Sequence, residues 1–383
     1  KRVPMKLNSL HIKNFRLLED LQIPQLGRVN LIVGKNNSGK STVLEALRIY
    51  AQVAHPAVLG RISREHDELV LSKPSDLDTA EDTNEFPWAH FFHGRIVNLT
   101  SKIYIGEAGA ETSGLRISYL QIRVAPSVVS EVYHPSSLTE CLKIDRQSEQ
   151  QIVSNFTLDF ASQLSVHPSK TWFSDSRVSL SYIPTRLPDI NQLAHIWDSI
   201  ALTDNQSVVL QSLQSVEPDV ENLIFVEKDA GDADEDPREA RSRRVRPRTA
   251  KVKLKGIPRP VPLQSLGDGM LRVLQLALKA FPAKGGFFLI DEVENGLHYS
   301  VQERIWRQLF DLAENLDMQI FATTHSWDCI ESFAKIAAEK SDTKSVLFRM
   351  GRSIRKSDHG KIIATSFTGD ELTAITQADV EVR

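Results

Sequence analysis

The sequence predicts an α/β protein with a mostly parallel, mixed sheet and an inserted middle region rich in strands and helices. Three observations predict it. A hydrophobic strand, Leu31–Val33, runs into the glycine loop "GKNNSGKS" and then into a helix. From Met270 to Phe367 strands and helices alternate, the pattern of parallel strands joined by crossover helices. Between these parts, "SKIYIGE" and "LRISYLQIRV" alternate polar and apolar residues, as antiparallel strands do.

The elements follow in order. "LNSLHIKNFRLLEDLQIP" reads as two strands with a polar turn near Asn14. Ser41–Val53 is a helix, with Val43, Leu44, Leu47 and Ala51 on one face. "SKPSDLDTAEDTNEFP", rich in acid, Ser and Pro, is expected as a surface loop. "LDFASQLSV" and "RVSLSYI" are expected to continue the antiparallel sheet of the middle region. Apolar residues then recur at helical spacing from Ile190 to Leu223, giving two helices with a turn near Thr203–Asn205. In "KVKLK", Val252 and Leu254 share one face of a half-exposed strand. The last part runs helix "MLRVLQLALKAF", strand "GGFFLIDE", helix "YSVQERIWRQLFDLAENL", strand "QIFATTH", helix "DCIESFAKIAAEK" and strands "SVLFRM" and "KIIATSF".

The chain has 383 residues, 41% hydrophobic and 25% charged, a globular balance with room for two or three domains. It has no apolar run of 18 residues and no signal-peptide pattern, so no membrane partner and a cytoplasmic location are expected. Met5 is the expected native start, with the first four residues a tag remnant or a trimmed extension. Cys141 and Cys329 are expected as free thiols, since two distant cysteines make no metal framework. A net charge of -3 gives no global nucleic-acid signature. One stretch stands out locally: acidic "EKDAGDADED" is followed by Arg238–Lys255, with nine Lys or Arg and a single Glu. The plain reading is a solvated hairpin whose halves neutralise each other. The sharper one is a nucleic-acid surface, although it lacks interleaved aromatics for stacking.

Four motifs carry chemistry. Gly34-Lys35-Asn36-Asn37-Ser38-Gly39-Lys40-Ser41 fits G-x-x-x-x-G-K-[ST] at every fixed position. Its two glycines let successive backbone N–H groups face phosphate oxygens at a helix N-terminus. Lys40 would bridge the β- and γ-phosphates of ATP, Ser41 would hold Mg²⁺, and Thr42 continues the cradle. "FFLIDE" delivers Asp291 to the Mg²⁺ shell and Glu292 as the base for the attacking water. In "SLGDGMLRVL", Ser265, Gly267 and Gly269 precede an amphipathic helix. Alone that stretch could be a capped loop. In "IFATTHSWD", His325 ends a buried strand one helix after the Asp-Glu pair, where it could reach a γ-phosphate.

The order of these motifs resembles ABC-type ATPases rather than kinases or G proteins. "LHIKNFR", "GKNNSGKS", "SLGDGMLRVLQLAL", "LIDEVENGLHYSVQ" and "FATTHSWDCI" are similar to the OLD family (overcoming lysogenization defect) and its stand-alone SMC-like relatives. The likeness covers residues 5–53 and 255–350. It departs from a transporter's L-S-G-G-Q, since "SLGDGM" stands there. The resemblance implies an ABC-type P-loop ATPase core with a mixed β-sheet, plus an inserted β-rich and helical middle region. The core would comprise 5–53 and 255–383, around an insertion at 54–254. The ATPase half is expected alone, without the family's TOPRIM nuclease domain.

Also implied are Ser265, Gly267 and Gly269 acting on a nucleotide held by a second subunit, and so a homodimer or higher oligomer closed by ATP. The catalytic residues would be Lys40, Glu292 and His325. An effector partner, nuclease or toxin, encoded nearby would be regulated in bacterial anti-phage defence. The alternative is an SMC-like ATPase of DNA repair that binds DNA directly. A transporter's nucleotide-binding subunit fits less well, because of the signature and the long middle insertion.

Overall fold

The structure, a computed structural model, describes residues 6–68, 88–110, 113–123, 138–146, 149–154, 177–186, 189–227, 247–369, 371–372 and 374. The expected loop at 72–87, the segment 158–166 and the charge switch at 228–246 lie outside the described residues. The chain divides into two compact units. The first comprises Lys1–Gly27, Ile32–Leu180 and Val346–Phe367; the second comprises Arg28–Leu31, Ser181–Ser345 and Thr368–Arg383.

The first unit begins with β1 (Leu10–Phe15) and β2 (Leu18–Ile23). Phe15 pairs with Leu18 and both are buried, so the turn is Arg16-Leu17 rather than the expected Asn14. Asn14 instead takes left-handed backbone (φ 56), which Asn tolerates, and its amide donates to Lys102 O at 3.1 Å. Strand β3 (Val29–Val33) passes from the second unit into the first and leads to α1 (Lys40–Ala51). Every residue of α1 from Thr42 to Ala51 is buried, more than the one apolar face expected.

Burial on that scale requires partners for the polar residues of α1. Arg48 makes a two-pronged pair with Glu65 at 2.6 and 3.0 Å. Glu45 meets Arg16 at 2.9 Å and His66 at 2.6 Å. Glu65 ends α2 (Pro56–Glu65), whose first turn carries proline and whose Ala57 N–H donates to the His55 ring at 3.1 Å.

β4 (Lys102–Gly106), β5 (Leu115–Arg123), β6 (Leu138–Arg146) and β7 (Glu149–Ser154) extend the β1–β2 hairpin. The order is β2-β1-β4-β5-β6-β7, antiparallel throughout. Arg146 is fully buried at the end of β6, donates to Tyr50 O at 2.7 Å and stacks over the Tyr50 ring.

The second unit starts with β8 (Leu180–Ile183) and the expected helix pair, α3 (Ile190–Ile200) and α4 (Asp204–Gln214). β8 does not continue the antiparallel middle sheet. It lies beside the buried strand β12 (Phe287–Ile290), and Asp291 N donates to Ile183 O at 2.9 Å. A fully buried strand needs partners for the backbone groups of both its edges, and β8 supplies one. On the other edge β12 pairs in parallel with β13 (Gln319–Thr324), Phe287 opposite Gln319 and Ile290 opposite Ala322.

β9 (Val220–Glu227), β10 (Arg248–Leu254) and the short β11 (Val261–Pro262) form a separate antiparallel ribbon. Val252 and Leu254 are buried there and Lys251 and Lys253 half-exposed, as the alternation predicts. The helices α5 (Asp268–Ala280), α6 (Tyr299–Asn315) and α7 (Trp327–Glu339) occupy the predicted places. β14 (Ser345–Arg352) and β15 (Ile362–Thr368) complete the first unit. Among the described residues no helix is long and apolar enough to cross a membrane. Cys141 and Cys329 are buried thiols, and burial pushes both up from the usual thiol value.

Candidate functional site

In the first unit the buried strand β3 ends at Gly34, and the chain turns through Lys35, Asn36 and Asn37, all exposed, to the buried Ser38. Asn37 and Gly39 take left-handed backbone (φ 64 and 88), which closes the loop onto the start of α1. Lys40 is buried, and its Nζ donates to Gly34 O at 2.7 Å and Lys35 O at 3.1 Å. Ser41 is exposed and Thr42 buried. Two features show that the loop fits phosphate. No side chain caps the N-terminus of α1, and no acidic residue lies in its first turn. Ser38 Oγ is buried without a hydrogen-bond partner. A helix N-terminus without a side-chain cap and an orphaned hydroxyl suit anionic oxygens.

In the second unit β12 ends at Asp291 (8% exposed) and Glu292. Thr323, on the neighbouring β13, donates its hydroxyl to Asp291 Oδ1 at 2.6 Å and accepts from Glu292 N at 2.8 Å. Glu292 takes left-handed backbone, φ 47, costly for a side chain of its size. His325 follows β13 by one residue. Its Nδ1 lies 3.6 Å from Glu292 Oε1 and 3.3 Å from Glu294 Oε1. His325 N also donates to Glu294 Oε1 at 3.1 Å. Asp291, Glu292 and His325 therefore converge, with Glu294 as a fourth member. Among the described residues no group of three or more His, Cys, Asp or Glu could hold a metal by itself. Asp291 offers hard oxygen, the donor type that Mg²⁺ prefers, but as one ligand among others supplied from elsewhere.

The loop before α5 sits in the same unit. Ser265 is exposed in a short 3-10 turn, Leu263–Leu266. Gly267 precedes α5 with φ 95 and ψ 163, a conformation essentially restricted to glycine. Gly269 is needed for space: a Cβ there would lie 2.9 Å from Gly296 O, in the turn after Glu292. The glycine-rich loop and the acid turn thus pack on each other.

Sequence reasoning missed two residues, Arg272 and Thr323, and considered Glu294 only as an alternative base to Glu292. Arg272, buried on α5, donates Nη2 to Asp291 O at 2.9 Å and Glu292 O at 2.8 Å, and Nη1 to Pro184 O at 3.2 Å and Gln275 Oε1 at 2.9 Å. Burial lowers its pKa to about 10, still charged at neutral pH. The available signal was one arginine in the apolar run "MLRVLQLALKA", three residues before a glutamine. Thr323 carried no such signal, because its partners are distant in sequence or in the backbone.

The family model described as "AAA domain, putative AbiEii toxin, Type IV TA system" matches residues 29–328. A curated Helicobacter pylori protein, "ATP/GTP phosphatase", is 24% identical over 381 residues, covering 96% of each chain. A Shewanella piezotolerans "DNA replication and repair protein RecF" is 31% identical over 100 residues, 24% of this chain and 26% of that one. Among solved structures, the SMC head bound to the C-winged helix domain of ScpA superposes with a TM-score of 0.46 and 14% identity, covering 96% of this chain and 99% of that one.

Proposed function

The chain belongs to this family of AAA-type P-loop ATPases, and on that premise we propose that it binds ATP with Mg²⁺, assembles into a dimer or higher oligomer around it and hydrolyses it. Within the family we place it with OLD-like stand-alone ATPases. They would act in the cytoplasm on a partner effector, a nuclease or toxin, in bacterial anti-phage defence. The observation that carries the ATP reading is the buried, unpartnered Ser38 Oγ at a helix N-terminus without a side-chain cap. The toxin-system wording of the family and the name of the Helicobacter pylori relative point the same way.

The roles divide as follows. Backbone groups of Gly34–Gly39, with Thr42, cradle the phosphates, and Lys40 neutralises the β- and γ-oxygens. Mg²⁺, held by Ser41 and Asp291, would withdraw charge from the same oxygens. Glu292 orients the attacking water and accepts its proton, and His325 contacts the γ-phosphate. Ser265, Gly267 and Gly269 serve the nucleotide of a second copy. We read residues 5–53 and 255–383 as one discontinuous ATPase core around 54–254. The test is ATP turnover with and without Mg²⁺, followed by an ATP-dependent pull-down of the product of the adjacent gene. No turnover with Mg²⁺ contradicts the ATPase reading; turnover without ATP-dependent capture contradicts the effector reading.

A second reading, direct DNA binding, is favoured by the lysine face of β10 and by the short RecF likeness. Arg248 is already engaged, bonded to Asp198 at 2.5 and 3.1 Å, which leaves fewer cations for phosphate. Each phosphate contact would add about 0.9 to the slope of log affinity against log salt, so a flat slope rejects this reading.

A further inference from the structure

Thr323 is fully buried in a strand whose other residues are apolar or carry their own partners. Packing there asks for a β-branched residue, and valine would fill the same space with equal strand preference. What threonine adds is one hydroxyl, and that hydroxyl makes two bonds. It donates to Asp291 Oδ1 (2.6 Å) and accepts from Glu292 N (2.8 Å), while Thr323 O accepts from Val293 N (3.0 Å). From another direction Arg272 Nη2 holds the carbonyls of Asp291 and Glu292. The acid turn is thus clamped at its N–H groups by Thr323 and at its C=O groups by Arg272. Between the clamps Glu292 is kept at φ 47, with its carboxylate 3.6 Å from His325.

We propose that Thr323 is a positioning residue for hydrolysis. Its hydroxyl sets the orientation of the Asp291 carboxylate for a divalent cation and holds Glu292 in its left-handed conformation. A side-chain hydroxyl that bonds a cation's carboxylate ligand fixes which oxygen faces the metal, and the loss of such an outer partner commonly costs 10–100-fold in affinity or activity. Removing the hydroxyl also strands Glu292 N and lets residue 292 relax toward ordinary backbone. The inference rests on the ATPase reading above.

The test compares Thr323→Val, Thr323→Ser and Thr323→Cys, the last being the same size with only a weak S–H donor. Two quantities are read: affinity for a fluorescent ATP analogue in EDTA and across a Mg²⁺ titration, and kcat and KM for ATP. The expected result for Val and Cys is wild-type affinity in EDTA, a Mg²⁺ midpoint raised by about 10-fold, and kcat down by about 10-fold or more with KM within about 2-fold. Thr323→Ser is expected to restore both. Should Thr323→Val fail to fold, the Cys and Ser variants carry the comparison. A Val or Cys variant with the wild-type Mg²⁺ midpoint and kcat overturns the inference alone, as does a Ser variant as impaired as Val. A wild-type chain that neither binds nor hydrolyses ATP overturns the ATPase reading and this inference with it.

Discussion

Lys40 Nζ lies 2.7 Å from the carbonyl oxygen of Gly34, six residues earlier, and 3.1 Å from that of Lys35. The amine spans the loop from which it springs, poised over the groups that would surround phosphate. Lys40→Ala removes that cation. ATP turnover is expected to fall by about 100-fold or more, with nucleotide affinity reduced in parallel, as measured by phosphate release and equilibrium binding. Undiminished turnover shows that the cradle has another use.

Ser265 is exposed, so Ser265→Arg should fold as the wild type does. If its loop serves a second copy, the variant binds nucleotide but does not hydrolyse it. Mixed with Lys40→Ala, it should regain part of the activity, because one intact composite site can form. A mixture that stays inactive at every ratio contradicts the shared site.

His90 is buried among Trp88 and Phe91, with its Nε2 2.8 Å from Ser63 Oγ. Burial lowers its pKa to about 4, against the pull of Glu68. Below the ordinary histidine value near 6.5, the unfolded chain takes a proton that the folded one refuses until about pH 4. Stability contributed by the neutral ring is therefore lost as pH falls through that window, by at most about 3 kcal/mol. His66 works in the opposite sense, since its bond to Glu45 raises its pKa. Urea midpoints from pH 7 to 4.5 should fall less steeply in His90→Gln than in the wild type. Parallel slopes would show that His90 does not titrate between the two states.

Arg146 answers for Tyr50 O at the end of α1 and stacks on the Tyr50 ring. Arg146→Met keeps the length but takes the charged donor from Tyr50 O, which then keeps the backbone N–H of Val53 at 3.2 Å. A loss of about 1.5–3 kcal/mol, the range for a hydrogen bond from a charged group, is expected in chemical denaturation. A loss under about 0.5 kcal/mol, the range of surface changes, would show that the pair adds nothing to stability.

Much of the fold was legible because its signals are local. The glycines and Lys40 sit between a fully apolar strand and a helix, and the terminal strands and helices alternate at clean periods. What was not legible depends on pairing between distant segments. β8 carries the same alternation as the middle strands, and nothing within "RVSLSYI" says that Ile183 will meet Asp291. The clamp on the acid turn is hidden for a related reason. Arg272 and Thr323 act on backbone groups 19 to 31 residues away, and a backbone group has no letter in the sequence. The Arg16–Glu45–His66 network likewise joins a turn, a helix and a loop that only the fold brings together.

The most direct test of the account is Glu292→Gln, which keeps size and hydrogen bonding at φ 47 but removes the proton acceptor. The variant should bind ATP as the wild type does and lose turnover by about 100-fold or more. In size-exclusion chromatography with ATP and Mg²⁺ it should accumulate as an earlier-eluting assembly than the wild type. Turnover near the wild-type rate, with no earlier peak, would contradict the account and move the base to Glu294 or His325.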